Sequence, residues 1–175
     1  MALAGRARRL RNQLAARRYA RDHELVREWA VNSDIETLAP TPLAEAGKPL
    51  RDGRLALVTT AGVHLDSQPP FDMFDPDGDP TARRVPVDAA PADVVITHDY
   101  YDHREADLDL NVVLPAGRLR ELADEGVVGS LAHDAFSLMG HIVGSHVATL
   151  VEVTGPEIAS ALVEGKVDYA LLTPA

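Results

Sequence analysis

The chain has 175 residues, of which 46% are hydrophobic and 25% charged, a composition typical of a folded globular protein and not of a disordered one. Its length suits one compact core, and no apolar run approaches the roughly 20 residues of a membrane span. The chain has no cysteine, so this sequence contains no disulfide, no thiolate nucleophile and no zinc–thiolate site.

Charge is distributed unevenly along the chain. Residues 1–30 contain eight arginines against Asp22, Glu24 and Glu28, whereas the whole chain has a net charge of −10. An Arg-rich N-terminus is compatible with nucleic-acid binding, but the acidic remainder would repel a phosphate backbone. We therefore expect no nucleic-acid partner and no membrane partner. The first residues lack the apolar segment of a signal peptide, so we expect a cytoplasmic protein.

The N-terminal third is predicted to be helical and then irregular. Residues 3–31 are predicted to form a helix because apolar residues recur at mostly helical spacing among the arginines: Leu3, Leu10, Leu14, Leu25 and Trp29. Because this stripe is narrow, we expect a surface or subunit-contacting helix and not a ligand-binding arm. Three prolines between Pro40 and Asp52 indicate a connector. The predicted parts are a basic helix at 1–33, a connector at 34–53 and an α/β domain at 54–175.

The apolar run at 54–60 is typical of a buried parallel strand, and it leads into a polar loop. Ligands of open α/β sheets bind beyond the carboxyl ends of the strands. This loop is therefore a candidate site, and its residues of interest are Thr59, Thr60, Gly62, His64 and Asp66. Residues 66–92 are rich in aspartate and proline, and we expect a solvated excursion there. Their alternating aspartates resemble a calcium loop, but Pro86 stands where the bidentate glutamate is required.

The remaining segments alternate between strand and helix patterns. We predict strands at 93–97, 148–153 and 167–173, a strand or extended segment at 111–114, helices at 117–125 and 156–163, and a loop followed by a helix at 127–147. Such alternation favours a parallel sheet with right-handed crossovers. The predicted fold class is α/β, with a three-layer, mostly parallel Rossmann-like sheet and an N-terminal helical arm.

Two segments after predicted strands contain the candidate chemistry. Imidazoles beside carboxylates form acid–base units, so the candidate catalytic residues are His64, Asp66, His98, Asp99, Asp102 and His103. The candidate substrate-binding residues are Thr59, Thr60, Gly62, Tyr100 and His141. A metal-dependent hydrolase or lyase using His64, Asp66, His98 and His103 is an alternative. In a second alternative these side chains cap loops and fill the core. The chain has no serine-nucleophile, triphosphate-loop or dinucleotide-binding motif.

Seven short motifs, in order, resemble the selenoprotein B family of glycine, sarcosine, betaine and D-proline reductases. They lie at residues 56–64, 68–72, 98–102, 109–113, 118–122, 126–131 and 137–141, within a region of about residues 45–175. The resemblance implies a component of a reductase that cleaves a C–N bond of a small amine-bearing substrate. It also implies a selenocysteine or cysteine nucleophile, a pyruvoyl group on a partner subunit, and either a homo-oligomer or a partner reductase subunit.

The chain departs from the family pattern because it has no cysteine or selenocysteine. In one hypothesis the redox residue lies beyond Ala175, after a selenocysteine codon read as a stop. In the other, the chain is a redox-dead relative that retains a binding or assembly role. Either way, we expect the isolated chain to be inactive. We also expect His64 and His98 to lie at one sheet edge, with the end of the strand at 167–173 beside them, where a protonated imidazole would lower the pKa of a thiol or selenol.

Overall fold

The computed structural model describes residues 2–32 and 44–175, so residues 34–43 of the predicted connector lie outside the described residues. The helices are α1 (Ala2–Tyr19), α2 (His23–Asn32), α3 (Arg104–Leu108), α4 (Ala116–Asp124), α5 (His146–Thr149) and α6 (Gly155–Glu164). The strands are β1 (Arg54–Thr59), β2 (Val63–Leu65), β3 (Arg83–Pro86), β4 (Val94–Ile96), β5 (Ser130–Leu131), β6 (Asp134–Ser137) and β7 (Tyr169–Thr173). Short 3₁₀ turns span Leu50–Asp52, Pro91–Asp93 and Leu110–Val112.

The main sheet is built around β1, which contains the buried residues Leu55, Ala56 and Leu57. Strand β7 pairs with β1 in parallel along residues 55–59. Strands β5 and β6 pair in parallel with the start and the end of β1, and β3 pairs antiparallel with β6. The predicted mixed α/β class with a mostly parallel sheet is confirmed, whereas the three-layer Rossmann-like arrangement stays a prediction.

The predicted strand at 93–97 exists, but its expected place in the parallel sheet with β1 is wrong. It forms β4, which pairs antiparallel with β2 in a separate two-stranded sheet. Gly62 makes this possible, because its positive φ of 69° redirects the chain between β1 and β2. The Gly62 carbonyl then accepts a hydrogen bond from the Thr97 N–H.

The strand predicted at 148–153 is wrong as well, because a π-helical turn at Leu150–Thr154 joins α5 to α6. The β-branched run there resembles a strand, but its inward residues recur every three or four positions: Val147, Leu150, Thr154, Ile158 and Leu162. The Thr154 hydroxyl donates to the Pro80 carbonyl at 2.7 Å and fixes the buried face of this helix.

Three further segments differ from the sequence prediction. The loop and helix predicted at 127–147 instead contain β5 and β6, and the segment at 111–114 begins with a 3₁₀ turn. The excursion at 66–92 contains β3, whose last residue is Pro86. Proline is tolerated there because β3 lies at a sheet edge.

The N-terminal segment predicted as one helix is two helices. The Asp22 carboxylate accepts hydrogen bonds from the backbone N–H groups of Glu24 and Leu25, so it caps the start of α2 and separates it from α1. Among the described residues, no helix has both the length and the apolar content needed to cross a bilayer.

Candidate functional site

A cavity of about 450 Å³ lies where the chain leaves β7, between the N-terminal helices and the loops that follow β4 and β6. The helices contribute Asn12, Ala15, Ala16, Tyr19, Val26 and Trp29, and the loops contribute His98, Tyr100, Tyr101, Gly140, His141 and Ala175. This lining contains no aspartate, glutamate, lysine or arginine. The cavity is therefore a mostly apolar and aromatic space with a few neutral polar groups.

Aromatic rings form one wall of this cavity. The rings of Tyr100 and His141 stack at a centroid distance of 3.9 Å, and His98 meets the ring of Tyr101 edge-on at 4.8 Å. The Tyr101 hydroxyl donates to the Ala61 carbonyl at 3.1 Å. Burial raises the pKa of both tyrosines, so both phenols are neutral at pH 7.

His98 links two of the loops around the cavity. The backbone N–H groups of Tyr100 and Gly140 point at its Nδ1 and Nε2, each at 3.1 Å. A neutral imidazole accepts at one nitrogen and an imidazolium at neither. Burial, followed by the nearby rings of His103 and His141, lowers the pKa of His98 to about 4. The ring is therefore neutral at pH 7, so it does not provide the positive charge that would activate a thiol.

Asp99 anchors the N-terminal helices over the cavity. Its buried carboxylate accepts from Nε and Nη2 of Arg9 and, at 2.8 Å, from Nε2 of Gln13. The hydrogen bond to Asp99 also raises the pKa of Arg9. Arg8 adds a hydrogen bond to the Phe74 carbonyl. Among the described side chains of α1, only Ala16 is buried, so these polar contacts are an important part of its attachment.

His64 and Thr59 are held in the interior of the protein. His64 Nδ1 lies 2.8 Å from the Leu65 carbonyl oxygen, and its Nε2 lies 2.8 Å from the Thr97 hydroxyl. Thr59 donates to the Val113 carbonyl at 2.9 Å and accepts from the Ala61 N–H. Neither residue lines the cavity, and both stabilise the strand ends on which it is built.

Thr60 and Gly62 shape the ends of these strands. The Thr60 hydroxyl accepts a hydrogen bond from the Ala175 N–H at 3.1 Å, and the Thr60 N–H donates to the Thr173 carbonyl. These bonds hold the segment after β7 against β1 and place Ala175 in the cavity lining. A Cβ on Gly62 would lie 2.5 Å from the Thr97 carbonyl oxygen, so only glycine fits.

The other acidic and imidazole candidates lie outside the cavity. Asp102 pairs with Arg104, whose hydrogen bonds lower the pKa of Asp102 to about 2. His103 Nδ1 lies 2.9 Å from the Asp107 carboxylate, and the Asp66 side chain is exposed. Of the candidate residues, the structure thus brings His98, Tyr100 and His141 together at the cavity. Asp99 does not line the cavity, and its carboxylate instead binds Arg9 and Gln13 of α1.

The described residues contain no group of three or more His, Asp or Glu that could hold a metal ion. The aspartates at 75–79 have other partners. Asp75 lies 3.1 Å from Nε2 of His146, and Asp79 accepts from the Asp72 and Thr81 N–H groups. The ligand set proposed for a metal-dependent hydrolase is therefore dispersed, because His64 and His98 bond to different groups and Asp66 is exposed.

Sequence reasoning missed the contribution of the N-terminal helices to the cavity. The leucine stripe led to the expectation of a surface or subunit-contacting helix and not a ligand-binding arm. Leu3, Leu10 and Leu14 are exposed, but other residues of α1 line the cavity. The docked face contains Arg9 together with small and neutral polar residues, among them Asn12 and Ala16. The signal was the gap in the arginine pattern at residues 12–16, which contains three of the four α1 residues that line the cavity.

Comparisons with known proteins identify the family. Residues 84–175 match the family model of glycine/sarcosine/betaine reductase selenoprotein B. The chain is 37% identical over 137 residues to the D-proline reductase subunit gamma of Acetoanaerobium sticklandii, covering 78% of this chain and 54% of that protein. The chain thus spans about half the length of the curated relative that it matches. No solved structure matches it. The chain belongs to the glycine/sarcosine/betaine reductase selenoprotein B family.

Proposed function

We propose that this chain is a reductase component that binds a small amine-bearing compound for reductive C–N cleavage. The observation that carries the proposal is the neutral, aromatic cavity formed by the loops at His98 and Gly140 and by Ala175. Membership of the selenoprotein B family supports the reaction class, and the relative named as a D-proline reductase subunit supports action within a multi-subunit enzyme. The proposal includes a cytoplasmic location, a Rossmann-like α/β domain at 54–175 and a partner reductase subunit.

The cavity suits a ligand of the glycine, betaine, sarcosine or D-proline type. Its volume of about 450 Å³ holds a small molecule, and aromatic faces attract an ammonium group through the ring quadrupole. No Asp, Glu, Lys or Arg side chain lines the cavity, so no charged side chain there can form an ion pair with a ligand. Discrimination would therefore come from ring contacts and from neutral hydrogen-bonding groups, such as the Asn12 amide.

As the family resemblance implies, a selenolate or thiolate supplied from outside this chain would attack the carbon while the C–N bond breaks, and a pyruvoyl group on a partner would activate the amine, which would leave with a proton. A second thiol would then attack the selenium or sulfur, so that the carbon is released with a proton and two electrons while a selenenyl sulfide or disulfide forms. Neither the nucleophile nor the pyruvoyl group is among the 175 residues. The residues of this chain would bind the amine and exclude water. A Cβ at Gly140 would lie 3.0 Å from the Ala175 carbonyl oxygen and 3.3 Å from the Thr60 carbonyl oxygen, so glycine allows this wall of the cavity to pack closely.

A non-catalytic binding or assembly role is the second candidate, and the histidines favour it. Both ring nitrogens of His64 and of His98 face protein groups, so neither ring has a free nitrogen for proton transfer in this conformation. Under this alternative the cavity retains its ligand, but the chain performs no step of the reaction.

Isothermal titration calorimetry with glycine, sarcosine, betaine and D-proline tests the proposal. We expect one of these compounds to bind with a stoichiometry of one per chain. Ala16→Trp would fill the cavity and abolish binding, whereas His133→Ala, at an exposed site outside the lining, would leave it unchanged. If no member of the panel binds, or if Ala16→Trp binds as well as the wild type in a folded state, the proposal fails.

A further inference from the structure

The outward face of α1 carries an apolar seam with no partner in the described chain. Leu3, Ala7, Leu10 and Leu14 follow the 4-3-4 spacing of a two-heptad coiled-coil seam. The three leucines are 84%, 59% and 56% exposed. The buried Ala16 and Arg9, which binds Asp99, lie on the far side of the same helix, so the leucine seam points away from the protein body.

Arginines flank this leucine seam. Arg6 lies on one side, Arg11 and Arg18 lie on the other, seven residues apart, and Arg17 follows Leu14 at the end of the seam. All four are exposed, and within residues 2–32 and 44–175 none of them forms an ion pair. Helix α1 contains no aspartate or glutamate. The seam is therefore apolar along its centre and positive along both edges.

A complementary surface lies elsewhere on the same chain. The outward face of α6 contains the small apolar residues Pro156, Ala159 and Val163, and Val163 is 76% exposed. Beside them run Glu157 and Glu164, also exposed and also seven residues apart. Helix α6 contains no lysine or arginine. We refer to these five residues as the acidic face of α6.

We propose that the leucine seam of α1 in one copy of the protein packs on the acidic face of α6 in a second copy. Residues seven apart lie about 10.5 Å apart along any α-helix, so Arg11 and Arg18 can meet Glu157 and Glu164 simultaneously. The leucines would pack on a surface of small side chains, which allows the helices to approach closely. The seam cannot reach α6 of its own chain because α1 is docked with the seam facing outwards.

Other occupants fit this surface less well. Two α1 helices facing each other would bring six flanking arginines together, which is repulsive. A helix that lies on a membrane needs a wider apolar face than a strict heptad seam, and the net charge of −10 opposes an anionic bilayer. The charge and spacing of α6 make a second copy of the chain the best match.

Light scattering coupled to size-exclusion chromatography tests this proposal with the full chain at low ionic strength. We expect an assembly larger than the monomer that dissociates as salt is added. The variants Arg11→Glu/Arg18→Glu and Glu157→Arg/Glu164→Arg should each be monomeric. A variant that combines all four changes keeps the wild-type net charge of −10, and it should associate again because the charges are exchanged across the interface.

The control is Arg51→Glu/Arg120→Glu, which makes the same charge change at exposed positions outside both surfaces and should still associate. Circular dichroism confirms that each variant is folded. A wild-type monomer at low salt would overturn the proposal, as would a four-residue variant that is folded but fails to associate. Co-sedimentation of the wild type with phosphatidylserine vesicles in the absence of self-association would assign the seam to a membrane and would also overturn it.

Discussion

Arg9 provides the sharpest test of how the N-terminal helices are held over the cavity. Its guanidinium forms two hydrogen bonds with the buried Asp99 carboxylate, and 31% of the Arg9 side chain is exposed. Arg9→Met removes the charge and both hydrogen bonds but retains a long side chain that can pack against Phe74. Since Ala16 is the only buried side chain among those described for α1, the helix has little apolar burial with which to compensate.

The size of the effect follows from these contacts. A hydrogen bond between charged groups contributes about 1.5–3 kcal/mol, and removing one partner leaves Asp99 buried with only Gln13 as its remaining side-chain donor. Partial exposure of Arg9 reduces the gain from the ion pair, so we expect a loss of about 2–3 kcal/mol in the docking free energy of α1. This loss corresponds to about a 30- to 150-fold increase in the equilibrium population of undocked helix.

Limited trypsin digestion of dilute protein measures this population, because α1 contains several arginines that become cleavable when it undocks. Cleavage after Arg17 and Arg18 should accelerate by that factor in Arg9→Met. The matched control, Arg11→Met, removes one arginine from the outward face and should cleave at the wild-type rate. Equal rates for the two variants would show that the Asp99 contacts do not hold the helix.

Three further predictions concern the folded state and the reaction. The pKa of His98 is about 4 in the folded state and about 6.5 in the unfolded state, so the unfolded state binds more protons between these pH values. The free energy of unfolding should therefore fall by up to about 3 kcal/mol as the pH is lowered through this range. Urea titrations of His98→Gln should lack this pH-dependent component. Gly62→Ala should lower the free energy of unfolding, measured in urea, by about 3 kcal/mol or more, because the new Cβ would collide with the Thr97 carbonyl oxygen. The control Gly126→Ala has a similar φ but no atom near the new Cβ, so it should lower this free energy by only about 1 kcal/mol. The isolated chain with a dithiol should form no reduced product, because it has no cysteine, and detectable turnover would refute this.

Sequence patterns predicted the elements whose residues are apolar on all sides or strongly periodic. The buried apolar run at Leu55–Leu57 identified β1. Pro156 in the first turn and Gly165 after the last turn identified the two ends of α6. The terminal strand was also recognised, although its apolar residues Leu171 and Leu172 are exposed on the edge of the sheet. In each case local sequence and tertiary environment favour the same structure.

Predictions failed where tertiary contacts decide between local alternatives. The run at 148–153 has strand propensity, but burial of Thr154 and Ile158 on one face selects a helix. Strand β6 has only four residues, and its pairing with β1 and β3 stabilises it more than its own sequence does. The antiparallel pairing of β4 depends on the turn at Gly62, and the turn direction is not encoded in the apolar run itself.

The candidate site could be predicted only in part from the sequence, because some of its residues follow a strand directly whereas others are held by long-range contacts. His98 and Tyr100 follow a strand directly, so their position at a sheet edge could be inferred from the sequence. The contribution of α1 and α2 to the cavity could not be inferred from the sequence, because it depends on an ion pair between Arg9 and Asp99, which are 90 residues apart. Long-range polar contacts of this kind leave no periodic signal in a single sequence.

Trp29 allows the most direct measurement of the central claim, that the cavity is the substrate site. It is the only tryptophan of the chain and it lines the cavity, so its fluorescence reports on the occupied state. Titration with glycine, sarcosine, betaine and D-proline should give a saturable change for at least one compound, and Ala16→Trp/Trp29→Phe should bind none of them by calorimetry. A fluorescence signal that stays flat across the whole panel, in protein shown to be folded with α1 docked, would contradict the claim.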